Sequence, residues 1–149
     1  MSHILITSFE PFTTSKGLVL THNPTKEITA WFEKERPDIA TSVLPVAFAA
    51  TRTKLLELFS ELAPRVWIGL GYASEKKSVG VETVAVNIEH AIRPDNDGEM
   101  PNQRPIIVDA PLAYRAPIKG SQLAEHLCSA GFDARVSFHA GTFMCNQVF

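Results

Sequence analysis

Hydrophobic positions along the chain change period several times, and each change marks an element. His3-Ile4-Leu5-Ile6-Thr7-Ser8 is an apolar run of strand length, the pattern of a strand covered on both faces. After an irregular stretch, Asn23-Pro24 supplies an N-cap side chain followed by proline at the first helical position. The helix that follows puts Ile28, Trp31 and Phe32 on one face, expected to be buried, and ends before Pro37. Residues 39–46 predict a second strand, and residues 48–62 a second helix with Leu55, Leu58, Phe59 and Leu62 at helical spacing. Residues 66–70 predict a third strand leading into a loop through Lys77, and residues 79–88 a fourth extended segment. Pro94-Asp95-Asn96-Asp97-Gly98 is a turn by its chemistry, and residues 106–108 read as a short strand. Residues 121–130 predict a helix closed by Gly131 at C′, and the strand around Val136 completes the set. Strands alternating with helices predict an α/β fold of three layers, helices on both faces of a largely parallel sheet. Sites in such sheets form beyond the carboxyl ends of the strands, which singles out the loops at 9–22, 71–77 and 139–145.

Size and charge narrow the picture. A chain of 149 residues is expected to form one domain, residues 1–149. Its 14 basic and 16 acidic residues leave a formal charge of −2, which argues against nucleic-acid binding. No apolar run approaches the roughly 18 residues that span a bilayer, so no membrane partner is expected. Met1-Ser2-His3 lacks the basic flank and apolar core of a signal peptide. The 2 cysteines, Cys128 and Cys145, make no disulfide framework, which fits a reducing cytoplasm.

Three features point to chemistry. In Gly141-Thr142-Phe143-Met144-Cys145-Asn146, the thiol follows a strand and a small-residue bend and sits at an expected helix start. Unpaired N–H groups there favour a thiolate and lower its pKa; the alternative is a cysteine that is simply buried. Glu82 shares a face with Val84, Val86 and Ile88 within an apolar segment. A carboxylate there is either a functional group or a cation's partner, or else that face is wet. Phe9-Glu10-Pro11-Phe12 places two aromatic rings after the first strand, either as an apolar ligand pocket or as a cap on the core.

Together these stretches resemble the pyroglutamyl peptidase I family. The resemblance rests on Phe9-Glu10-Pro11-Phe12 with Asn23-Pro24, Leu44-Pro45-Val46, Gly71-Tyr72-Ala73, Glu82-Thr83-Val84-Ala85-Val86-Asn87 with Pro94-Asp95-Asn96, and Ala140-Gly141-Thr142-Phe143-Met144-Cys145-Asn146. It implies a cytosolic cysteine exopeptidase that removes N-terminal pyroglutamate (5-oxoproline) from peptides, needs no cofactor or metal, and is often a tetramer. Cys145 then matches the nucleophile and Glu82 the catalytic carboxylate. Phe9, Phe12, Asn23, Phe143 and Met144 match positions around the lactam pocket.

The chain departs from the family in several places. The family's catalytic histidine lies beyond Phe149, so the resemblance implies a domain incomplete at its C-terminus, lacking a last helix and strand. His3, His22, His90, His126 and His139 are present, and none matches that position. Thr83 stands where an arginine is common, as does Lys76. In Ala91-Ile92-Arg93-Pro94 the arginine is moved one place, which in an extended segment sends it to the opposite face. Thr13-Thr14 replaces paired glycines. The alternative reading is a catalytically inactive, truncated homologue that at most binds a pyroglutamyl-like ligand or partner.

Overall fold

A computed structural model of the chain describes residues 3–14 and 16–149; Met1, Ser2 and Ser15 lie outside the described residues, and with them part of the N-terminal stretch read above for a targeting signal. Contacts group the chain into two compact units. One comprises Met1–Tyr72, Ile92–Met100 and Val148; the other comprises Ala73–Ala91, Pro101–Gln147 and Phe149.

The first unit is built on β1 (Ile4–Phe9), α1 (Pro24–Glu35), β2 (Ala40–Leu44), α2 (Phe48–Leu62) and β3 (Val66–Gly69). The strands lie in the order β2-β1-β3, all parallel, with Leu5 opposite Ala40 on one side and Trp67 on the other. Central β1 is buried from Leu5 to Phe9, as its continuous apolar run predicts. Leu5, Leu44 and Phe48 are wholly inaccessible and form the centre of this core. Asn23 caps α1, accepting the Thr25 N–H at 3.1 Å, and Pro24 opens the helix as expected.

The buried face of α1 is not the expected one. Ile28 and Trp31 are exposed and Phe32 is half-buried, whereas Thr25 and Thr29 are buried. Hydroxyl pairing explains the reversal: Ser8 and Thr29 share a hydrogen bond of 2.9 Å, and Thr25 Oγ1 also hydrogen-bonds to Asn23 Oδ1. A threonine pair four residues apart can therefore pack on β1 without leaving its hydroxyls unsatisfied. Trp31 and Phe32 meet edge to face instead.

The second unit contains β4 (Val79–Glu82), β5 (Val84–Val86), β6 (Ala113–Arg115), α3 (Gly120–Ser129), β7 (Ala134–Ser137) and α4 (Met144–Gln147). β4 pairs in parallel with β7, and β5 pairs antiparallel with β6. The α/β class and its largely parallel pairing are thus borne out. The extended segment 79–88 is divided at Thr83, where each half takes a different partner. Thr83 N–H and Oγ1 both donate to the Ser137 carbonyl, at 2.8 and 2.9 Å, which anchors the break.

Residues 106–108 form bends and turns, and the strand lies at β6 instead. Asn87 accounts for this by claiming Ile107's main chain: Ile107 N–H donates to Asn87 Oδ1 at 2.9 Å, and Asn87 Nδ2 donates to the Ile107 carbonyl at 2.8 Å. The chain then reverses at Asp109, whose φ is 61°. Helix α3 closes as expected, with Gly131 at φ 92° and its N–H on the Cys128 carbonyl. Among the described residues no helix is long and apolar enough to cross a membrane.

Candidate active site

In the second unit β4 ends on Glu82, and β7 feeds the bend that leads to Cys145 in α4. The register places Glu82 directly opposite Ser137, so the two parallel strands deliver the carboxylate and the thiol-bearing turn from one end of their sheet. Gly141 has φ 81°, a conformation that suits glycine at the bend.

Glu82 lies on the less buried face. Val81, Thr83 and Ala85 are the buried positions of the segment, while Glu82, Val84 and Val86 are half-buried. Its partner is a cation: Lys76 Nζ lies 3.2 Å from Glu82 Oε1. Oε2 is buried and has no hydrogen-bond partner among the described residues.

Cys145 is accessible to solvent, yet protein crowds its sulfur. Desolvation pushes the thiol pKa upward, the negative charge of Glu82 adds to the rise, and Lys76 and a backbone hydrogen bond oppose it. The helix start was expected to lower that pKa. Here α4 is only 4 residues long, so few aligned peptide dipoles stand behind the N–H groups, and desolvation with the carboxylate outweighs them.

The turn itself is firmly held. Thr142 Oγ1 donates to the His90 carbonyl at 2.8 Å and the His90 N–H donates to the Thr142 carbonyl at 3.1 Å. Asn146 is buried and hydrogen-bonds to Val86 and Ile88. Gln147 Nε2 donates to Glu89 Oε1 at 3.1 Å, and the same fully buried carboxylate accepts Arg104 Nε at 2.7 Å. Thr142 and Asn146 lie in the motif around Cys145 but had no role assigned from sequence, and neither Gln147 nor Glu89 stood out. Glu89 within an apolar segment was the available signal. Phe143 is half-buried and Met144 is buried at the start of α4. His139 is exposed, and its Nδ1 accepts the Gly141 N–H at 2.7 Å.

The remaining candidates belong to the first unit. Phe9 ends β1 and is 4% exposed, so it is part of the core. Asn23 is 1% exposed; besides capping α1, its Nδ2 donates to the Glu10 carbonyl at 3.2 Å, which braces the loop carrying Phe12. Phe12 is half-buried, and the Arg93 guanidinium lies 5.7 Å from its ring centroid. The displaced arginine therefore packs on an aromatic ring, while Ile92 is 80% exposed. Asn96 Nδ2 donates to the Pro11 carbonyl at 3.1 Å and holds the same loop from the 94–98 turn.

Among the described residues no three His, Cys, Asp or Glu side chains are grouped to hold a metal. What the second unit presents is a thiol, a carboxylate with one unoccupied oxygen and a lysine, a set suited to nucleophilic chemistry once a base is supplied.

Comparison with known proteins agrees in sequence and in fold. The family model for pyroglutamyl peptidase matches residues 2–149. A pyrrolidone-carboxylate peptidase of Thermococcus litoralis is 37% identical over 99% of this chain and 66% of its own length. One from Pseudomonas fluorescens SBW25 is 35% identical over 100% of this chain and 70% of its own. The solved pyrrolidone carboxyl peptidase of Fervidobacterium islandicum AW-1 superposes with a TM-score of 0.91 at 31% identity, covering 100% of this chain and 71% of that one. That of T. litoralis gives 0.88 at 36% identity, over 99% of this chain and 66% of that one. The chain spans about two thirds of the length of these relatives. With the family model matching residues 2–149 and the fold in agreement, the chain belongs to the pyroglutamyl peptidase family.

Proposed function

We propose that this chain carries the nucleophile and carboxylate of a cysteine peptidase that removes N-terminal pyroglutamate from peptides. The observation that carries the reading is that paired strands β4 and β7 bring Glu82 and the turn bearing Cys145 to one end of their sheet, with one buried Glu82 oxygen free of donors among the described residues. Such an oxygen suits the N–H of an imidazolium, which it would orient and stabilise.

The chemistry balances in two steps. A base removes the Cys145 proton and sulfur attacks the pyroglutamyl carbonyl carbon, forming a C–S bond and an oxyanion. The intermediate collapses, the amide C–N bond breaks and the departing amine takes the proton from the base. Water then gives a proton to the base and attacks the thioester carbonyl, the C–S bond breaks, the proton returns to the Cys145 sulfur and free pyroglutamate leaves. The family resemblance assigns the base to a histidine beyond Phe149, and no described histidine hydrogen-bonds to Glu82.

The substrate positions divide by burial. Of the positions the resemblance assigns to substrate, Phe12 and Phe143 are each half-buried within their own unit, whereas Phe9, Asn23 and Met144 are buried and support their loops. Homo-oligomerisation and a cytoplasmic location belong to the same reading, the second supported by the free Cys128 and Cys145.

The test is release of a fluorophore from a pyroglutamyl amide by this chain joined to a family segment that carries the histidine, beside Cys145→Ala and Glu82→Gln in the same protein. Turnover that disappears with Cys145→Ala and falls by orders of magnitude with Glu82→Gln is expected. Turnover indifferent to Cys145, or no turnover at all, would overturn the reading for this chain.

A further inference from the structure

We infer that Asn146 is a positioning residue that sets the Cys145 thiol against Glu82; the inference rests on the reading of Cys145 as nucleophile. Its carboxamide behaves as a fragment of a neighbouring strand. Oδ1 accepts the Val86 N–H at 2.8 Å, and Nδ2 donates to the Val86 carbonyl at 2.8 Å and to the Ile88 carbonyl at 3.0 Å.

Strand alternation shows why this edge is available. Asn87 N–H points toward β6, bonding the Leu112 carbonyl at 2.8 Å, so the main-chain groups of Val86 and Ile88 face the other way. No strand pairs with that edge of β5 among the described residues. Asn146 fills the place with one side chain that is only 2% exposed. An aliphatic side chain would leave the Val86 N–H and the Val86 and Ile88 carbonyls, all part-buried, without this partner.

The consequence lies one residue away. Asn146 is fixed from Cys145's C-terminal side, and Thr142 is tied to His90 on the N-terminal side. The thiol-bearing turn is therefore clamped at both ends to the segment running from Val86 to His90. That segment continues β4 through Thr83, and β4 carries Glu82. One stretch of chain thus bears the carboxylate and, a few residues on, the groups that locate the turn bearing the thiol. Asn146 touches no reacting atom in this scheme; it acts through the placement of its neighbour.

The experiment reads thiol–carboxylate coupling directly. Cys145 alkylation by iodoacetamide is followed against pH by mass spectrometry, with exposed Cys128 as internal reference. The variants are Glu82→Gln, Asn146→Ala and the double variant, all held well below their melting temperatures. In the parent, Glu82→Gln is expected to move the alkylation midpoint down by at least about half a pH unit, since a nearby negative charge is removed. In the Asn146→Ala background that shift should shrink by more than half. Turnover of a pyroglutamyl amide should fall about tenfold to hundredfold in kcat with KM little changed, as expected for misplaced reacting groups.

A residue important only for folding would lower the melting temperature and leave the Glu82→Gln shift intact, and that result would overturn the inference. Asn146→Ser, smaller but still hydrogen-bonding, serves if the alanine variant does not fold; failure of both to fold would also overturn it. The alkylation profile needs no turnover, so loss of the peptidase reading and loss of this inference are separable.

Discussion

Lys76 Nζ stands 3.2 Å from Glu82 Oε1, and the two bear on Cys145 with opposite sign: the carboxylate raises the thiol pKa and the ammonium lowers it. With side chains 49% and 26% exposed, the pair adds little to stability, so its effect is chiefly electrostatic. Glu82 comes from β4 and Lys76 from the preceding loop, so two separate pieces of chain set the charge around the thiol.

The alkylation midpoint of Cys145 should accordingly lie above that of an ordinary free thiol. Lys76→Met should raise it further, because the one opposing cation is lost. The sign carries over to stability. A thiol whose folded pKa is raised keeps its proton longer in the folded state, so its contribution is present below the ordinary thiol pKa and is lost as pH rises through the folded value. Urea unfolding of the parent beside Cys145→Ala, between about pH 7 and 11, should show the parent losing relative stability at the alkaline end. Parallel curves would contradict the raised pKa.

Asp95 caps a helix it does not belong to. Its Oδ2 accepts the Phe48 N–H at 2.8 Å at the start of α2, whose own N-cap residue, Ala47, offers no side-chain acceptor. Its Oδ1 accepts the Asp97 and Glu99 N–H groups at 3.0 and 2.8 Å and folds the turn. Asp95→Ala should cost about 2–3 kcal/mol in chemical denaturation, more than an exposed cap, because the buried Phe48 N–H and two part-buried turn donors lose an acceptor. Asp95→Asn should cost less, since one acceptor oxygen remains.

Gly120 opens α3 where Thr83 packs. A Cβ there would collide with Thr83 Cγ2 and also approach Val81 Cγ1 to 3.5 Å. Alanine is ordinarily the better helix former, yet Gly120→Ala should destabilise by about 1–3 kcal/mol through overpacking. Thr83→Ser removes the offending methyl and keeps the hydroxyl on the Ser137 carbonyl. The double variant should recover most of the loss, and thermal melts of the three variants test that coupling.

Much of the architecture was legible because its causes are local. The Asn23-Pro24 start of α1, the whole span of α2 and the Gly131 stop of α3 follow from capping chemistry and helical period, and the structure agrees. The run at Ile4 to Ser8 announced a strand buried on both faces. What failed needed knowledge of a partner. Thr25 and Thr29 displaced Ile28 and Trp31 from the inner face because Ser8 offered a hydroxyl. The strand read at residues 106–108 gave way to β6 because Asn87 took Ile107's main chain for itself.

The candidate site divides in the same way. The sequence alone singled out Cys145 and Glu82 as candidates, each beside a plainer alternative, and the family resemblance followed from motifs in their order along the chain. Only the tertiary structure decided that Lys76 holds Glu82, that the thiol pKa rises rather than falls, and that Phe9 and Asn23 are buried supports. It alone disclosed Asn146 against Val86, a pairing across 60 residues of chain. Local propensity is written in neighbouring residues and can be read there. Charge, desolvation and hydrogen-bond pairing depend on distances that exist only after the chain has folded.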